Sequence, residues 1–559
     1  MLRARIVRRA LLRPVRRRPF AIAAIALAVG SFAPARARGQ LAPPTAPPEN
    51  PVTAEKSVLG KILFWDEQLS SDNTVACGTC HRPSAGGGDV RFVPLAGPDG
   101  RLGTRDDLFG SPGISKSDAG NAYEPDPTHG FKPQITARNS PDFIMGGYFT
   151  ELFWDGRATS AFVDPQSGNT SIAAGGALES QCVGPPASDV EMAHAGRDWN
   201  EITAKLQASH PLALATDLPA DVVAALAVDP TYPDLFETAF GDPAINSERI
   251  AFALATYERG LVPDQTPWDA FNQGDSTALT ARQQRGLNLF NSKANCFKCH
   301  VPGTFTDDLF HTIGLRDPAT DPLRENVTGD HGDRGKAKTP SLRNVGLRRR
   351  LMHSGEFPDI PGVVGFYDGG GVFTDNLDPL IVRLRLSPRE RDDLTDFLQH
   401  GLDDPRVRDE TAPFDRPTLY SEQLTGNPSI YGAASAGSGG FLPQMLAQTP
   451  PNVANVDFKF GVTDGLGNSP ALLLLADAAA APGAHVRSIP INVDFAHLVA
   501  VIGYGLDGAG AGAGYQTFAT EIPDDPALAG YELFAQWFVL DGGAADRIAA
   551  SAGVHFTLF

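Results

Sequence analysis

Two C-x-x-C-H pentapeptides, Cys77-Gly-Thr-Cys80-His81 and Cys296-Phe-Lys-Cys299-His300, constrain this 559-residue chain more than any other feature. Thiols three residues apart can each form a thioether with one vinyl group of a single porphyrin, and the adjacent imidazole then lies beneath the iron. The pattern marks covalent attachment of c-type haem, here twice. The competing reading is zinc or a redox dithiol; a zinc site needs the two Cys pairs close enough to share one metal, with free thiolates. The pentapeptides use four of the five Cys, leaving Cys182, which suits a buried, inert thiol. Two haems imply two haem-binding regions with electron exchange between them. The second axial position of each iron then separates a pure electron carrier from a catalyst.

The first 37 residues read as an export signal. Eight Arg between Arg3 and Arg18 precede a short apolar run, Phe20–Phe32, and Ala35-Arg-Ala37 offers a small-residue cleavage site. The run is too short to span a bilayer comfortably, and no later stretch reaches the length of a membrane span. Arg17-Arg18-Pro-Phe20 has a twin-arginine character. The formal charge of −18 hides how acidic the exported protein is. With the nine Arg of residues 1–37 removed, 38 basic residues face 65 acidic ones, a net −27. Such a surface argues against nucleic acid or anionic lipid as partner and suits a basic protein.

A Pro-rich spacer (38–52) separates this signal from a long region with helical punctuation. Thr280 with Gln283, and Ser387-Pro388 with Glu390, are capping boxes that predict helix starts. Between Gly86 and Gly130 the chain is turn-rich, as in a long loop or insertion. From about Arg416 the character changes. Val456, Phe458, Phe460 and Val462 alternate with Asp457, Lys459, Gly461 and Thr463, the period of a strand. Ala471–Ala476, Tyr531–Leu540 and Val554–Phe559 predict further strands, together a small β domain, sandwich-like.

Several segments between Leu59 and Pro417 resemble the bacterial dihaem cytochrome c peroxidase superfamily, which also contains the tryptophan-modifying enzyme MauG. They are LGKILFWDEQLS (Leu59–Ser70), ELFWDGRA (Glu151–Ala158), Glu191-Met192, GLNLFNSKANCFKCH (Gly286–His300), TPSLRNV (Thr339–Val345) and Met352-His353-Ser-Gly355. The resemblance implies roles for particular residues. Glu191 would be the active-site carboxylate, moving the proton of peroxide from the near oxygen to the departing one. Trp154 would lie between the haems as an electron relay. Asn139 would be the side-chain ligand of an inter-domain calcium ion, with the carbonyls of Arg348 and Arg350 from the second domain; three consecutive Arg there depart from the family's smaller residues.

The resemblance also sharpens the axial ligands. The family's peroxidases place a Met fourteen residues after the His of their His-x-Gly segment; counted from His353 this position is Tyr367, and MauG has Tyr there. A thioether raises the reduction potential, whereas a phenolate stabilises higher oxidation states and lowers it. Met352 is the competing ligand. His129, in Thr128-His-Gly-Phe131, lies near the position of the distal His that blocks the first haem in many dihaem peroxidases, with spacing that differs by two residues; an exposed loop His is the alternative. Asp99, Asp106 and Asp107 offer a second calcium loop or an ordinary solvated turn.

The sequence therefore predicts a mainly α protein: an N-terminal cytochrome c domain (53–265), a second cytochrome c domain (266–415), and a C-terminal all-β, sandwich-like domain (416–559). The expected cofactors are two haem c and one calcium ion. The expected activity is periplasmic reduction of hydrogen peroxide, with electrons from a small cytochrome c or cupredoxin. A MauG-like oxidase and a non-enzymatic dihaem carrier are the alternatives. Stable membrane insertion is not expected, and monomer and homodimer both stay open.

Overall fold

The computed structural model describes residues 41–559 except Arg105 and Leu424; the expected signal segment and the first residues of the spacer lie outside the described residues. Among the described residues three large hydrophobic cores form, each built around a different part of the sequence, with two small clusters in the C-terminal region.

The first core is organised by two helices, α1 (Ala54–Trp65) and α2 (Ser247–Arg259). Thr53 starts α1 by accepting the Lys56 amide on its hydroxyl at 3.2 Å. Leu59, Ile62 and Leu63 pack against Ile250 and Leu254. Gly60 permits close approach of the two helices, since a Cβ there would lie 1.9 Å from the Ala253 carbonyl oxygen. Trp65 closes the contact by donating its Nε1–H to the Tyr257 hydroxyl at 3.1 Å. Val407, Phe414 and Leu419 also belong to this core, so the expected boundary at 415 falls within a segment that packs back on the first region.

The second core is smaller. Helices α3 (Ala281–Phe290), α4 (Ile360–Gly369) and α5 (Pro388–His400) surround Phe290, Phe305, Val364 and Phe397. Both capping boxes form, at Thr280–Gln283 and Ser387–Glu390. One buried ion pair ties the region together. Arg343 bonds both carboxylate oxygens of Asp269, at 2.8 and 2.9 Å, and the carbonyls of Pro263 and Gly303, both at 2.7 Å. Asp269 would remain buried and unpaired in Arg343→Met. That variant is therefore expected to lose roughly 3–5 kcal/mol of stability, read as a lower urea midpoint of the holoprotein.

"Mainly α" overstates the helical share of the first two regions. Between Asp66 and Asp198 the only α-helices among the described residues are Cys77–Cys80 and Ala177–Cys182. The remainder is turns, 3₁₀ turns and strands of two to four residues, including the hairpin β1 (Pro112–Ser115) with β2 (Pro133–Ile135). Glycine- and proline-rich sequence satisfies its backbone here through local turns rather than helical ladders.

The C-terminal region is β-rich, as its alternation predicted. Apart from a two-residue pair, His485–Val486 with Ile489–Pro490, its strands are β3 (Ser429–Tyr431), β4 (Gln444–Leu446), β5 (Lys459–Gly467), β6 (Pro470–Ala476), β7 (Leu498–Gly505), β8 (Gly510–Ala519), β9 (Glu532–Leu540), β10 (Ile548–Ala550) and β11 (Gly553–Thr557). One sheet runs β7-β6-β9-β11-β3, with β10 beside β9; the other runs β4-β5-β8, and all these pairings are antiparallel. Phe460 and Val462 from the smaller sheet share one core with Leu473, Trp537, Val539 and Phe556 from the larger.

Candidate functional site

Each pentapeptide lines its own cavity. The first, about 400 Å³, is lined by Cys77, Cys80 and His81 together with Trp154 and Glu191. The second, about 180 Å³, is lined by Cys296, Cys299 and His300 with Met352, His353 and Tyr367. The two Cys pairs thus face different spaces, which removes a shared zinc site. Burial pushes the thiols of Cys80 and Cys296 up to about 12, so neither is a thiolate at neutral pH.

The local sequence explains the first motif. Cys77–Cys80 is a single helical turn, closed by the Ala76 amide donating to the Thr79 hydroxyl at 2.8 Å. Gly78 faces the indole of Trp65, where a Cβ would stand 2.2 Å from the ring. His81 Nδ1 lies 3.1 Å from the Gly87 carbonyl oxygen, and His300 Nδ1 lies 3.1 Å from that of Phe305. A carbonyl can only accept, so each Nδ1 carries the proton and each Nε2 keeps its lone pair. Burial lowers the pKa of both imidazoles and holds them neutral. Neutral imidazoles in one tautomer, beside paired thiols on a cavity wall, fit covalently attached haem in both cavities.

Trp154 lines both cavities and is 8% exposed. It is held from both sides: its Nε1–H donates to the Asn139 carbonyl at 2.7 Å, and its own carbonyl accepts the Lys338 amide at 2.8 Å. Glu191 sits on a tight turn in which the amides of Glu191, Met192 and Ala193 all donate to the Ser188 carbonyl. Gly113 of β1 presses on this turn, since a Cβ would lie 2.0 Å from the Val190 carbonyl oxygen. Burial raises the Glu191 pKa, opposed by the Arg157 guanidinium on the same cavity wall.

Tyr367 on α4 and Met352, whose φ of 69° is left-handed, both line the second cavity, so both candidate ligands stay with His300. His129 is not brought to the first cavity. It lies on the turn Asp126–Gly130, with its amide donating to Asp126 Oδ1 at 2.7 Å, and is not among the lining residues.

Asn139 meets the second region: its side-chain amide lies against the carbonyls of Arg350 and Met352, with Nδ2 donating at 3.0 and 3.2 Å. The Arg348 carbonyl is not its partner; the Arg348 side chain instead donates to the carbonyls of Gly86 and Ser140. Asp106 and Asp107 accept from the Thr104 hydroxyl and neighbouring amides, an ordinary set of turn contacts.

Three residues at these cavities escaped the sequence reading. His353 lines the second cavity, its ring 6.2 Å from Trp154 and its Nε2 3.0 Å from Asp321 Oδ2. Its place in the Met352–Gly355 segment was the available signal. Asp142 lines both cavities; burial pushes its carboxyl up to about 7 against the opposing charge of Arg348, and Oδ2 has no hydrogen-bond partner among the described residues. Glu258 lines the first cavity beside Cys182, whose thiol lies 3.8 Å from Glu258 Oε1. Burial pushes Glu258 up to about 8, so the fold holds it neutral. Its contribution is complete below the ordinary Glu range and is lost as pH rises toward 8. Glu258→Gln is therefore expected to match wild type at pH 4 and to melt several degrees higher at pH 9, in thermal scans of the holoprotein.

The geometry defines a class: a protein with two haem c cavities sharing one tryptophan wall. Comparison with known proteins agrees. A family model for di-haem cytochrome c peroxidase matches residues 54–277. The methylamine utilization protein MauG of Methylophilus methylotrophus is 31% identical over 358 residues, covering 63% of this chain and 84% of that one. The cytochrome-c peroxidase IdrP1 of Pseudomonas sp. (strain SCT) is 28% identical over 415 residues, covering 68% and 88%. A crystal structure of a MauG-like protein associated with microbial copper homeostasis is 25% identical, covers 68% of this chain and 97% of its own, and has a TM-score of 0.48. The chain belongs to the di-haem cytochrome c peroxidase and MauG family, whose members are oxidoreductases carrying two c-type haems.

Proposed function

We propose that this protein is an exported dihaem peroxidase that reduces hydrogen peroxide to water with electrons from a small cytochrome c or cupredoxin. One haem is held by Cys77, Cys80 and His81, the other by Cys296, Cys299 and His300. Bound haem supplies the iron at which peroxide is reduced and the second centre that stores electrons. The residues do the rest. Glu191 takes a proton from the near oxygen of peroxide and returns it to the departing one. Trp154, in the wall common to both cavities, carries electrons between them. Tyr367 would supply a further ligand to the second haem iron, with Met352 the competitor. The observation that carries the reading is the single cavity that combines a haem motif, a buried carboxyl and the shared indole. The acidic surface suits a basic donor. No helix among the described residues is long and apolar enough to cross a membrane.

A second reading, a MauG-like oxidase acting on a protein or small molecule, is favoured by Tyr367 in the second cavity. Peroxide-driven oxidation of a reduced small cytochrome c by the holoprotein separates the two. Rapid turnover supports the peroxidase; absence of turnover with several donors, with peroxide still changing the haem spectrum for a long period, supports the oxidase. If prior reduction yields neither result, an electron carrier remains.

A further inference from the structure

A lysine ammonium is almost never fully buried unless all its protons are used. Lys459, the first residue of β5, is 1% exposed. Its Nζ donates to the Ser117 hydroxyl at 2.8 Å, the Asn121 carbonyl at 2.9 Å and Asn121 Oδ1 at 2.6 Å, and stands 4.5 Å from the centre of the Tyr123 ring. All three acceptors belong to the excursion that follows β1 in the first haem region. Two more bonds join the same elements: the Tyr123 amide to the Thr517 hydroxyl on β8, at 2.9 Å, and the Ser115 hydroxyl to Gln448 Oε1, at 2.8 Å.

The excursion touches the Glu191 turn on its other side. The Ser117 carbonyl accepts the Ala195 amide at 3.0 Å. The Asn121 side-chain Nδ2 donates to the Ser71 carbonyl at 2.9 Å, and the Ser71 backbone amide donates to the Met192 carbonyl at 2.9 Å. Gly113, four residues before Ser117, presses on Val190 and Glu191. One buried ammonium of the C-terminal region is thus joined to the segment that follows Glu191, at Ala195 through Ser117 and at Met192 through Asn121 and Ser71, while Gly113 of the adjoining strand bears on Val190 before it.

We propose that Lys459 is a positioning residue for the first haem cavity: the β region clamps the excursion after β1 and, through it, fixes the turn that carries Glu191. This rests on the reading of Glu191 as the acid–base carboxylate. It gives the β region a part in the reaction although it lies outside the cavity.

The test is hydrogen exchange and peroxide kinetics on the full-length holoprotein with Lys459→Met, beside Glu191→Gln. Amides of residues 188–195 and 111–121 are expected to exchange at least tenfold faster in Lys459→Met, with residues 281–290 unchanged, and peroxide turnover is expected to fall at least tenfold. Gln536→Met, which removes a buried side chain bonded to Pro490 and Ser551 within the β region, controls for general loosening of that region and should leave residues 188–195 as in wild type. The proposal is overturned if residues 188–195 exchange unchanged in Lys459→Met, or if Gln536→Met accelerates them equally. It is also overturned if exchange rises but turnover holds while Glu191→Gln abolishes it. If Glu191→Gln itself leaves turnover intact, the reading of Glu191 fails, and the clamp is judged on exchange alone. Should Lys459→Met not yield holoprotein, Ser117→Ala removes one acceptor and is expected to accelerate residues 188–195 at least threefold; no acceleration overturns the clamp.

Discussion

Glu191→Gln slows the reaction with hydrogen peroxide by roughly 10²–10⁴-fold while both haems stay attached and cyanide still binds the first iron. Glutamine keeps the volume and polarity of the side chain but can neither take a proton from one peroxide oxygen nor return it to the other. The measurement is the second-order rate of peroxide consumption by stopped flow, with pyridine haemochrome spectra to verify two haems. Its pH dependence carries a second signature. Burial raises the Glu191 pKa, so the carboxyl stays protonated to higher pH than an ordinary Glu. The wild-type rate should therefore begin to fall on acidification while still above the usual Glu range, and that limb should vanish in the variant. An unchanged rate would remove Glu191 from the chemistry.

Tyr367→Met raises the reduction potential of the second haem, on the order of 100 mV or more, because a neutral thioether replaces an anionic oxygen donor. Burial pushes the Tyr367 hydroxyl above its ordinary value, so a phenolate forms there only against a strong positive centre such as iron. Redox titration followed at each haem's absorption band reads the shift, and the first haem should stay within about 30 mV, a small change on the scale set by axial ligands. A potential that does not move in Tyr367→Met but moves in Met352→Leu would give the ligand position to Met352. The peroxidase reading predicts that Tyr367→Met improves turnover with a high-potential donor.

What the sequence disclosed follows from how local the signals were. The haem motifs, capping boxes and β alternation are each contained within a few residues, and each predicted its element. Residues that depend on several distant segments were less visible. Glu258 and Asp142 are ordinary acids in sequence, and only the packing of α2 and of the loop after Asn139 buries them against the cavities. Asn139 packs on the Arg350 carbonyl of the second region, but which atom of its amide faces that carbonyl depends on backbone that the motif does not specify. Of the two readings open for His129, a haem ligand or a loop His, the structure has it on the Asp126–Gly130 turn, and register across a turn-rich insertion has no periodicity by which sequence could choose. The helical share was overestimated because capping signals report where helices start, not how much chain lies between them.

The return of Val407, Phe414 and Leu419 to the first core has a consequence for biogenesis. Synthesis in N-to-C order delivers Cys77, Cys80 and His81 long before those three side chains. The apolar wall that α1 and α2 begin therefore stays incomplete until the entire second haem region has been made. Closure of the first core therefore waits on the segment that follows the second haem region, so the two regions cannot complete their folding one after the other as independent units.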